Sequence, residues 1–298
     1  MFPNSFTMTR YKKEKIVRDH DKFFDRVGTY YSTCLAKIHQ NNIMMKPIYP
    51  VYNITFKDKL YILYEMISAP YKMKINTCST FSSSHEDKLN QFYKPQAALY
   101  DAYRQYMLHG KKKLIPSIPF NIRDTVLILA GGTGDILDYI MPYSDKLKKI
   151  VLVDLCGEML KIAREKRGHI KNIEIVYADA TTFTSKEKFD KIIITYSITM
   201  IPNWIELIDS IKKNLKYGGY LGVSDFTVYK YSNILRKISG NLFKTMFKKD
   251  GVFLNENHIK VLDTEFERIH CYIEHGEFPF TPHFLKCPYY YGLWKNIN

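Results

Sequence analysis

The 298-residue chain has few cysteines and a deficit of acidic residues, and both shortages narrow what it can be. Its five cysteines, Cys34, Cys78, Cys156, Cys271 and Cys287, are odd in number and widely scattered, with no C-x-x-C and no histidine partner at zinc-ligand spacing. A disulfide framework is therefore not expected, and the thiols read as reduced, in a cytoplasmic protein. The nine histidines show no ligand spacing either, so no metal site is expected. The longest uncharged run, residues 192–205, stops well short of the roughly 20 residues that a membrane-spanning helix needs. The first ten residues hold no continuous apolar core of the kind a cleaved secretory signal carries. No internal repeat is visible, and 46% hydrophobic with 25% charged residues is the balance of a globular chain.

The acid deficit leaves 44 basic against 30 acidic side chains, a net charge of +14, unevenly spread. Residues 1–85 hold 13 basic and 6 acidic side chains, about half of the excess, in a Tyr-, Lys- and Asn-rich stretch without a motif. Segments 21–39 and 56–67 carry helix-like and apolar patterns there, and the polar run CSTFSSSHEDK at 78–88 marks the natural division of the chain. Residues 226–249 form a second basic stretch. Lys230, Arg236, Lys237, Lys244, Lys248 and Lys249 alternate with Phe226, Tyr229, Tyr231, Leu235, Leu242, Phe243 and Phe247, and no acid intervenes. Such a field attracts polyanions, and the aromatic mixture suits the interfacial zone of an anionic bilayer, although a solvated helix with a core-facing stripe has the same pattern.

Residues 125–135 read TVLILAGGTGD, an apolar strand that breaks into three glycines within four residues. Glycine lets the chain turn sharply and approach a ligand closely, because no Cβ obstructs either move. Twenty residues past the loop, Asp154 closes the run KKIVLVD, where a carboxylate is placed to accept hydrogen bonds from ribose hydroxyls. The loop lacks the G-x-G-x-x-G register of dinucleotide folds and resembles the S-adenosylmethionine (SAM) loop of class I methyltransferases. Further strands follow at βαβ spacing: 173–177 before Ala178, Asp179 and Ala180; FDKIIITYSITMIP, apolar throughout 192–195; and KYGGYLGVSDF after a glycine turn. Pro202 marks the start of a helix to about Leu215, with Trp204, Leu207, Ile208 and Ile211 on one stripe.

The lead-in run NQFYKPQAALYDAYRQYMLHGKKKLI resembles that of the methyltransferase module of betaine-lipid synthases, whose pattern is close to FY-x-x-QA-x-x-YD-x-x-R. Phe92, Tyr93, Gln96, Ala97, Tyr100, Asp101 and Arg104 stand on that pattern. GGTG at 131–134, VDLC at 153–156, YSITMIP at 196–202, SDF at 224–226 and PYYYGLW at 288–294 follow in order, so the resemblance spans about 88–298. The chain departs from the pattern at Ala130, where an acidic or glycine residue is common, and at Lys111, in place of an arginine. The resemblance implies an α/β fold of the class I methyltransferase, Rossmann-like type. A mostly parallel seven-stranded sheet with helices on both faces would occupy residues 86–298, behind an N-terminal extension, 1–85. It further implies SAM-dependent N-methylation of diacylglyceryl homoserine to the trimethylated betaine lipid, by a protein held peripherally at a membrane.

Under that reading Ala130, Gly131, Gly132, Gly134, Asp154, Leu155, Asp179, Ala180 and Tyr196 hold SAM. Methyl transfer to an amine is an in-line displacement that needs a neutral nitrogen held close and aligned, and aromatic faces to stabilise the cation that forms. Tyr93 and Tyr196 are the foremost walls, with Trp204, Tyr290 and Trp294 as further aromatic candidates. Asp101 and Arg104 share a helical face and can pair, with Arg104 holding a carboxylate and Asp101 orienting the amine. Methylation of another amine such as phosphoethanolamine, methylation of RNA, and a non-catalytic binding subunit are the alternatives.

Overall fold

Strands β1 (Thr125–Leu129) and β2 (Lys149–Asp154) are buried at every position but Lys149, as their unbroken apolar runs require of parallel strands covered on both faces. Strands β3 (Ile173–Tyr177), β4 (Phe189–Thr195) and β5 (Leu215–Phe226) continue the parallel set, and β6 (Glu267–Glu277) with β7 (Lys286–Lys295) completes a seven-stranded sheet. The order is β3-β2-β1-β4-β5-β7-β6, with β7 antiparallel to both its neighbours. The order reverses between β1 and β4, and open α/β sheets bind ligands beside such a switch point, at the carboxyl ends of the strands.

The computed structural model describes residues 84–94, 97, 100–228, 234–249, 251–277 and 286–298. The patterns at 21–39 and 56–67, Cys34, Cys78, Gln96, Tyr229, Lys230 and Tyr231 lie outside the described residues, as do the side chains of Leu235, Arg236, Lys237 and Lys249. All the described elements belong to one compact unit. Among the described residues three short helices precede the sheet: α1 (His85–Tyr93), α2 (Tyr100–Arg104) and α3 (Lys111–Ser117). Ser84 and Asp87 close a capping box on α1, satisfying backbone donors that the helix leaves open. Between and after the strands come α4 (Asp135–Ser144), α5 (Gly157–Arg167), α6 (Trp204–Asn214), α7 (Ile234–Lys249) and α8 (Asn257–Glu265).

Leu207, Ile208 and Ile211 of α6 pack with Leu129, Ile192, Ile194, Leu221, Val223 and Trp294 in one buried cluster, the stripe that the helical spacing predicts. Leu221 and Val223 face that cluster, so Gly222 between them faces the opposite layer. There Ile118 and Leu114 come within 2.9 and 3.4 Å of the space a Cβ would fill. The helix starts at Trp204 rather than Pro202. The glycine turn expected before the fifth strand is part of it: β5 runs through Gly218 and Gly219, Gly218 takes a φ of +72°, and the register against β4 shifts between Phe189 and Lys191. The glycines thus build a kink inside a strand.

The PYYYGLW ending forms β7, and its largest side chains are core. Trp294 and Tyr290 are fully buried, and the Trp294 indole Nε1 donates to Asp263 at 3.0 Å. Their expected role as walls of a ligand site is therefore corrected, and Trp204 likewise packs on the core, edge-on to His258 at 4.7 Å. Among the described residues no helix is long and apolar enough to cross a membrane, and the three cysteines present, Cys156, Cys271 and Cys287, are free thiols. Trp294→Ala is expected to cost about 3 to 5 kcal/mol through the cavity it leaves. Urea denaturation of the two proteins checks this, and a loss under 1 kcal/mol would contradict the packing.

Candidate active site

The strand ends at the switch point are held in conformations that few residues adopt. Ala130, after β1, has φ +50°, and Tyr196, after β4, has φ +55°. For residues with a Cβ the left-handed region costs about 1 kcal/mol or more, and such strain concentrates at functional sites. Ala130 bears it with a Cβ, where the glycine common at that position would not, and nothing in the structure explains the departure. Ser197 Oγ donates to the Ala130 carbonyl at 3.0 Å and so ties the two turns together.

Beyond Ala130 the loop is shaped by what lies beneath it. A Cβ on Gly131 would stand 2.7 Å from Leu152 Cγ, so only glycine lets the loop lie flat on β2. Gly132, at φ +55°, turns its N–H onto Asp154 Oδ2 at 2.7 Å, while the Cys156 N–H donates to Oδ1 at the same distance. The Asp154 carboxyl is buried, and burial pushes its pKa up against the lowering effect of these backbone bonds. Each oxygen has accepted one hydrogen bond and retains capacity for another.

These groups floor a cavity of about 290 Å³. Of the residues expected to hold the cofactor, Ala130, Gly131, Gly132, Asp154, Leu155, Asp179, Ala180 and Tyr196 line it, and Tyr93 closes another side. Gly134 does not line it. It precedes α4 at φ +72°, packed against Leu137, Ala163 and Leu152, and so sets where the helix begins.

The expected pair of Asp101 and Arg104 is not formed. Asp101 is buried outside the cavity, where its carboxylate accepts from Thr133 Oγ1 and from Lys166 Nζ. Burial raises its pKa and the charge of Asp135 raises it further, against Lys166 and Thr133. Arg104 lies over the Tyr100 ring, 5.1 Å from its centroid, and lines a smaller pocket with Phe92, Tyr93, Tyr100, Leu108, Tyr196, Thr199, Met200, Phe226 and Val252. In this pocket Tyr93 OH donates to Met200 Sδ at 3.1 Å and Tyr196 OH to the His109 carbonyl. Their hydroxyls are thereby engaged within the protein.

Sequence reasoning missed several lining residues. His85 opens α1 in the cavity wall, its pKa lowered by burial, and the Ser84 cap was the only signal for its position. Lys111, buried, and Asp135, partly exposed, form an ion pair at the wall, and Lys111 had drawn notice only as a departure from pattern. Met159, Met200 and Asn203 also line the cavity; Met200 falls within the YSITMIP motif without having been singled out there, and nothing in the sequence marks the other two.

The turn that carries Met200 is anchored from β5. Asp225, wholly buried, accepts from Thr199 Oγ1 at 2.8 Å, Thr199 N–H at 3.2 Å and Phe226 N–H at 2.7 Å. Burial nonetheless pushes its pKa up to about 6. YSITMIP and SDF, separate motifs in the sequence, are one interlocked unit.

The profile described as the ubiE/COQ5 methyltransferase family matches residues 84–257. Among curated proteins the chain is similar to the ubiquinone/menaquinone biosynthesis C-methyltransferase UbiE of Coxiella burnetii (strain Dugway 5J108-111), 27% identical over 150 residues that cover 47% of this chain and 60% of that one. The protein of the same description from Francisella philomiragia is 33% identical over 140 residues, covering 44% and 56%. The chain thus spans less than two thirds of the length of these relatives. Among solved structures, phosphoethanolamine N-methyltransferase 2 of Haemonchus contortus shares the fold at a TM-score of 0.56 and 15% identity, over 73% of this chain and 61% of that one. It was crystallised with phosphomonomethylethanolamine and S-adenosylhomocysteine, and also with SAM.

The cavity fits SAM: a glycine floor that a Cβ would fill, a carboxylate with acceptor capacity for a ribose diol, and aromatic and methionine side chains around it. Asp154→Ala should weaken SAM binding on the order of 10- to 100-fold, the worth of one or two hydrogen bonds to a charged group, and calorimetry that finds equal affinity removes Asp154 from that role. A second expectation concerns pH. The unfolded Asp225 loses its proton near pH 3.8 and the folded one near 6, so its contribution to stability is present below pH 4 and is lost as pH rises through 6, by about 3 kcal/mol. Asp225→Asn does not ionise, so its stability relative to the parent protein should improve by that amount between pH 4 and 7. A difference that does not change with pH would contradict the burial of an ionising group there.

Proposed function

The chain belongs to the ubiE/COQ5 methyltransferase family, and we propose that it is a SAM-dependent methyltransferase whose acceptor is the amine of a lipid headgroup, with diacylglyceryl homoserine the first candidate. When bound, SAM supplies a methyl group on a sulfonium, ready for in-line transfer. Everything else falls to the residues of this chain.

The observation that carries the reading is the aromatic cluster beside the cofactor cavity: its own gap of about 10 Å³ admits no more than a water, but Tyr93, Tyr100, Tyr196 and Met200 line the main cavity as well, so a headgroup would lie in the space they share. Tyr93 and Tyr100 meet edge to face with centroids 5.4 Å apart, Tyr196 and Phe226 do the same at 4.8 Å, and among the described residues Arg104 is the only charged side chain beside them. With the Tyr93 and Tyr196 hydroxyls already engaged, what those two rings have left to offer is their faces. Faces of this kind stabilise a methylated ammonium by about 0.5 to 2 kcal/mol each. Arg104, already engaged within the protein, adds a positive charge beside these rings that favours a carboxylate on the same headgroup, as homoserine carries. Each of the first two methylations leaves an ammonium that must lose a proton before the next; among the described residues the small pocket's lining has no carboxylate or imidazole to take it, whereas the adjoining cavity is lined by His85 and Asp179.

One observation favours a second reading. The curated relatives are named ubiquinone/menaquinone biosynthesis C-methyltransferases, and the same rings would stack on a quinol, with Arg104 beside a phenolate oxygen. Carbon methylation requires that the ring first lose a phenolic proton.

The two are separated by incubating the protein with methyl-labelled SAM and vesicles that carry diacylglyceryl homoserine, phosphatidylethanolamine or a polyprenyl quinol, and following each by mass spectrometry. Stepwise gain of up to three labels on the homoserine lipid is expected; label on the quinol alone establishes the second reading and removes the first. On the amine reading, Tyr93→Ala should slow the third methylation roughly 2- to 30-fold more than the first, because the cation is most developed there. Uniform slowing of all three steps would count against an aromatic cage.

A further inference from the structure

The main cavity differs in charge between its two sides. The strand ends beneath it run in the order β3-β2-β1-β4-β5, and Asp154, the expected partner of the ribose, closes β2. Toward β3 the lining offers Asp179 and, within reach of its charge, the His85 imidazole, whose pKa burial lowers so that it is neutral near pH 7. In the other direction, past the glycine loop, the lining offers Lys111 and Asp135. SAM has an adenine on one side of its ribose and, beyond the sulfonium on the other, an amino-acid tail with a carboxylate and an ammonium. A ribose held at Asp154 sends one end toward each side.

Lys111 is fixed on its side by the residues before it. Gly110 lies so close to β5 that a Cβ would stand 2.5 Å from Ser224 Oγ, and α3 starts there. The His109 carbonyl accepts from Ser224 Oγ at 3.3 Å and from Tyr196 OH. One short segment therefore sets Lys111 in the cofactor cavity and ties down a ring of the acceptor side, toward which the sulfonium must lie if its methyl group is to be transferred. The Lys111 side chain is only 4% exposed, yet among the described residues its three N–H donors meet a single acceptor, Asp135. A buried ammonium with one acceptor is poorly compensated for the water it has lost, and a second anion in the cavity would improve that balance.

We propose that Lys111 and Asp135 bind the amino-acid tail of SAM, Lys111 receiving the carboxylate and Asp135 the ammonium. The ion pair sets a positive and a negative charge side by side, the arrangement that a zwitterion complements with opposite signs. The side toward β3 offers a neutral imidazole and a carboxylate, with nothing to balance the tail's carboxylate, and so suits the uncharged adenine. Lysine in place of arginine at 111 keeps the charge that this role needs. The inference rests on the reading of the cavity as a SAM site and on nothing about the acceptor.

Calorimetry with three ligands tests it without turnover: SAM; decarboxylated SAM, which keeps the ammonium; and 5′-methylthioadenosine, which lacks the tail. Lys111→Met is expected to weaken SAM on the order of 10- to 100-fold, and to leave decarboxylated SAM and methylthioadenosine within about twofold of the parent. Asp135→Asn should weaken SAM and decarboxylated SAM alike, on the order of tenfold, and again spare methylthioadenosine. Lys111→Arg should retain most of the parent's preference for SAM over methylthioadenosine. Unchanged binding of methylthioadenosine shows that the variants are folded. If both variants lose methylthioadenosine as steeply as SAM, the pair is only a structural tie between α3 and α4, and the proposal is overturned. Parental SAM affinity in Lys111→Met overturns it too, as does a parent protein that binds SAM and methylthioadenosine equally. A parent that binds none of the three overturns the reading of the cavity and the proposal with it.

Discussion

The Asp154 carboxylate is the joint on which the site depends. It accepts from the Gly132 N–H on one side and the Cys156 N–H on the other, and so fastens the loop after β1 to the loop after β2. A buried carboxylate with nothing to accept from would be costly, and two charge-assisted backbone bonds offset that cost only if both loops stay in place. The strain at Ala130, the flat course of Gly131 over Leu152 and the left-handed turn at Gly132 are the conformations that bring the two N–H groups to one side chain. Much of the floor for the cofactor is therefore assembled by the protein itself, and binding need not bear the full entropy of ordering it.

The acceptor side is built differently. Its walls come from α1, α2 and the turn after β4, elements remote in sequence, and they are held by cross-ties rather than by one joint. Asp101 of α2 reaches Thr133 in the glycine loop and Lys166 on α5, so the lead-in segment is latched to the loop that floors the cofactor. Asp225 fixes Thr199, and through it Met200, to the end of β5. Both carboxylates are buried with raised pKa values. Groups that might have been taken for acid and base catalysts are instead consumed in positioning the aromatic walls.

That division explains what could be read from the chain. The central strands were legible because parallel strands covered on both faces demand continuous apolar runs, and 125–129 and 192–195 have little else. The glycine loop and Asp154 were legible because their spacing follows from one βαβ unit. Gly134 was misplaced because spacing shows that a glycine is needed, not whether a ligand or a helix start needs it. Asp101 and Arg104 were misjudged because a three-residue separation on a helix permits a pair, whereas Lys166, 65 residues away, decides it. Aromatic content at 288–294 was equally ambiguous, since Trp294 and Tyr290 alternate inward on a strand and fill the core.

The same asymmetry bears on how one fold serves different acceptors. Apart from Lys111, the contacts proposed for SAM lie on the strand-end loops, whose geometry is dictated by the sheet and leaves little room for variation. The acceptor pocket draws on α2 and on the 3₁₀ turn at Ile198–Met200, short elements whose exposed faces can change without disturbing the sheet. Both chemistries release protons, a phenolic one for carbon methylation and one after each of the first two nitrogen methylations, so what separates them is the permanent cation that only the nitrogen product carries. Among the described residues the lining sets tyrosine faces beside a guanidinium, an arrangement suited to hold a cation beside a carboxylate. On that physical ground the amine reading stands ahead of the chemistry named for the relatives, even though the cofactor floor is common to both.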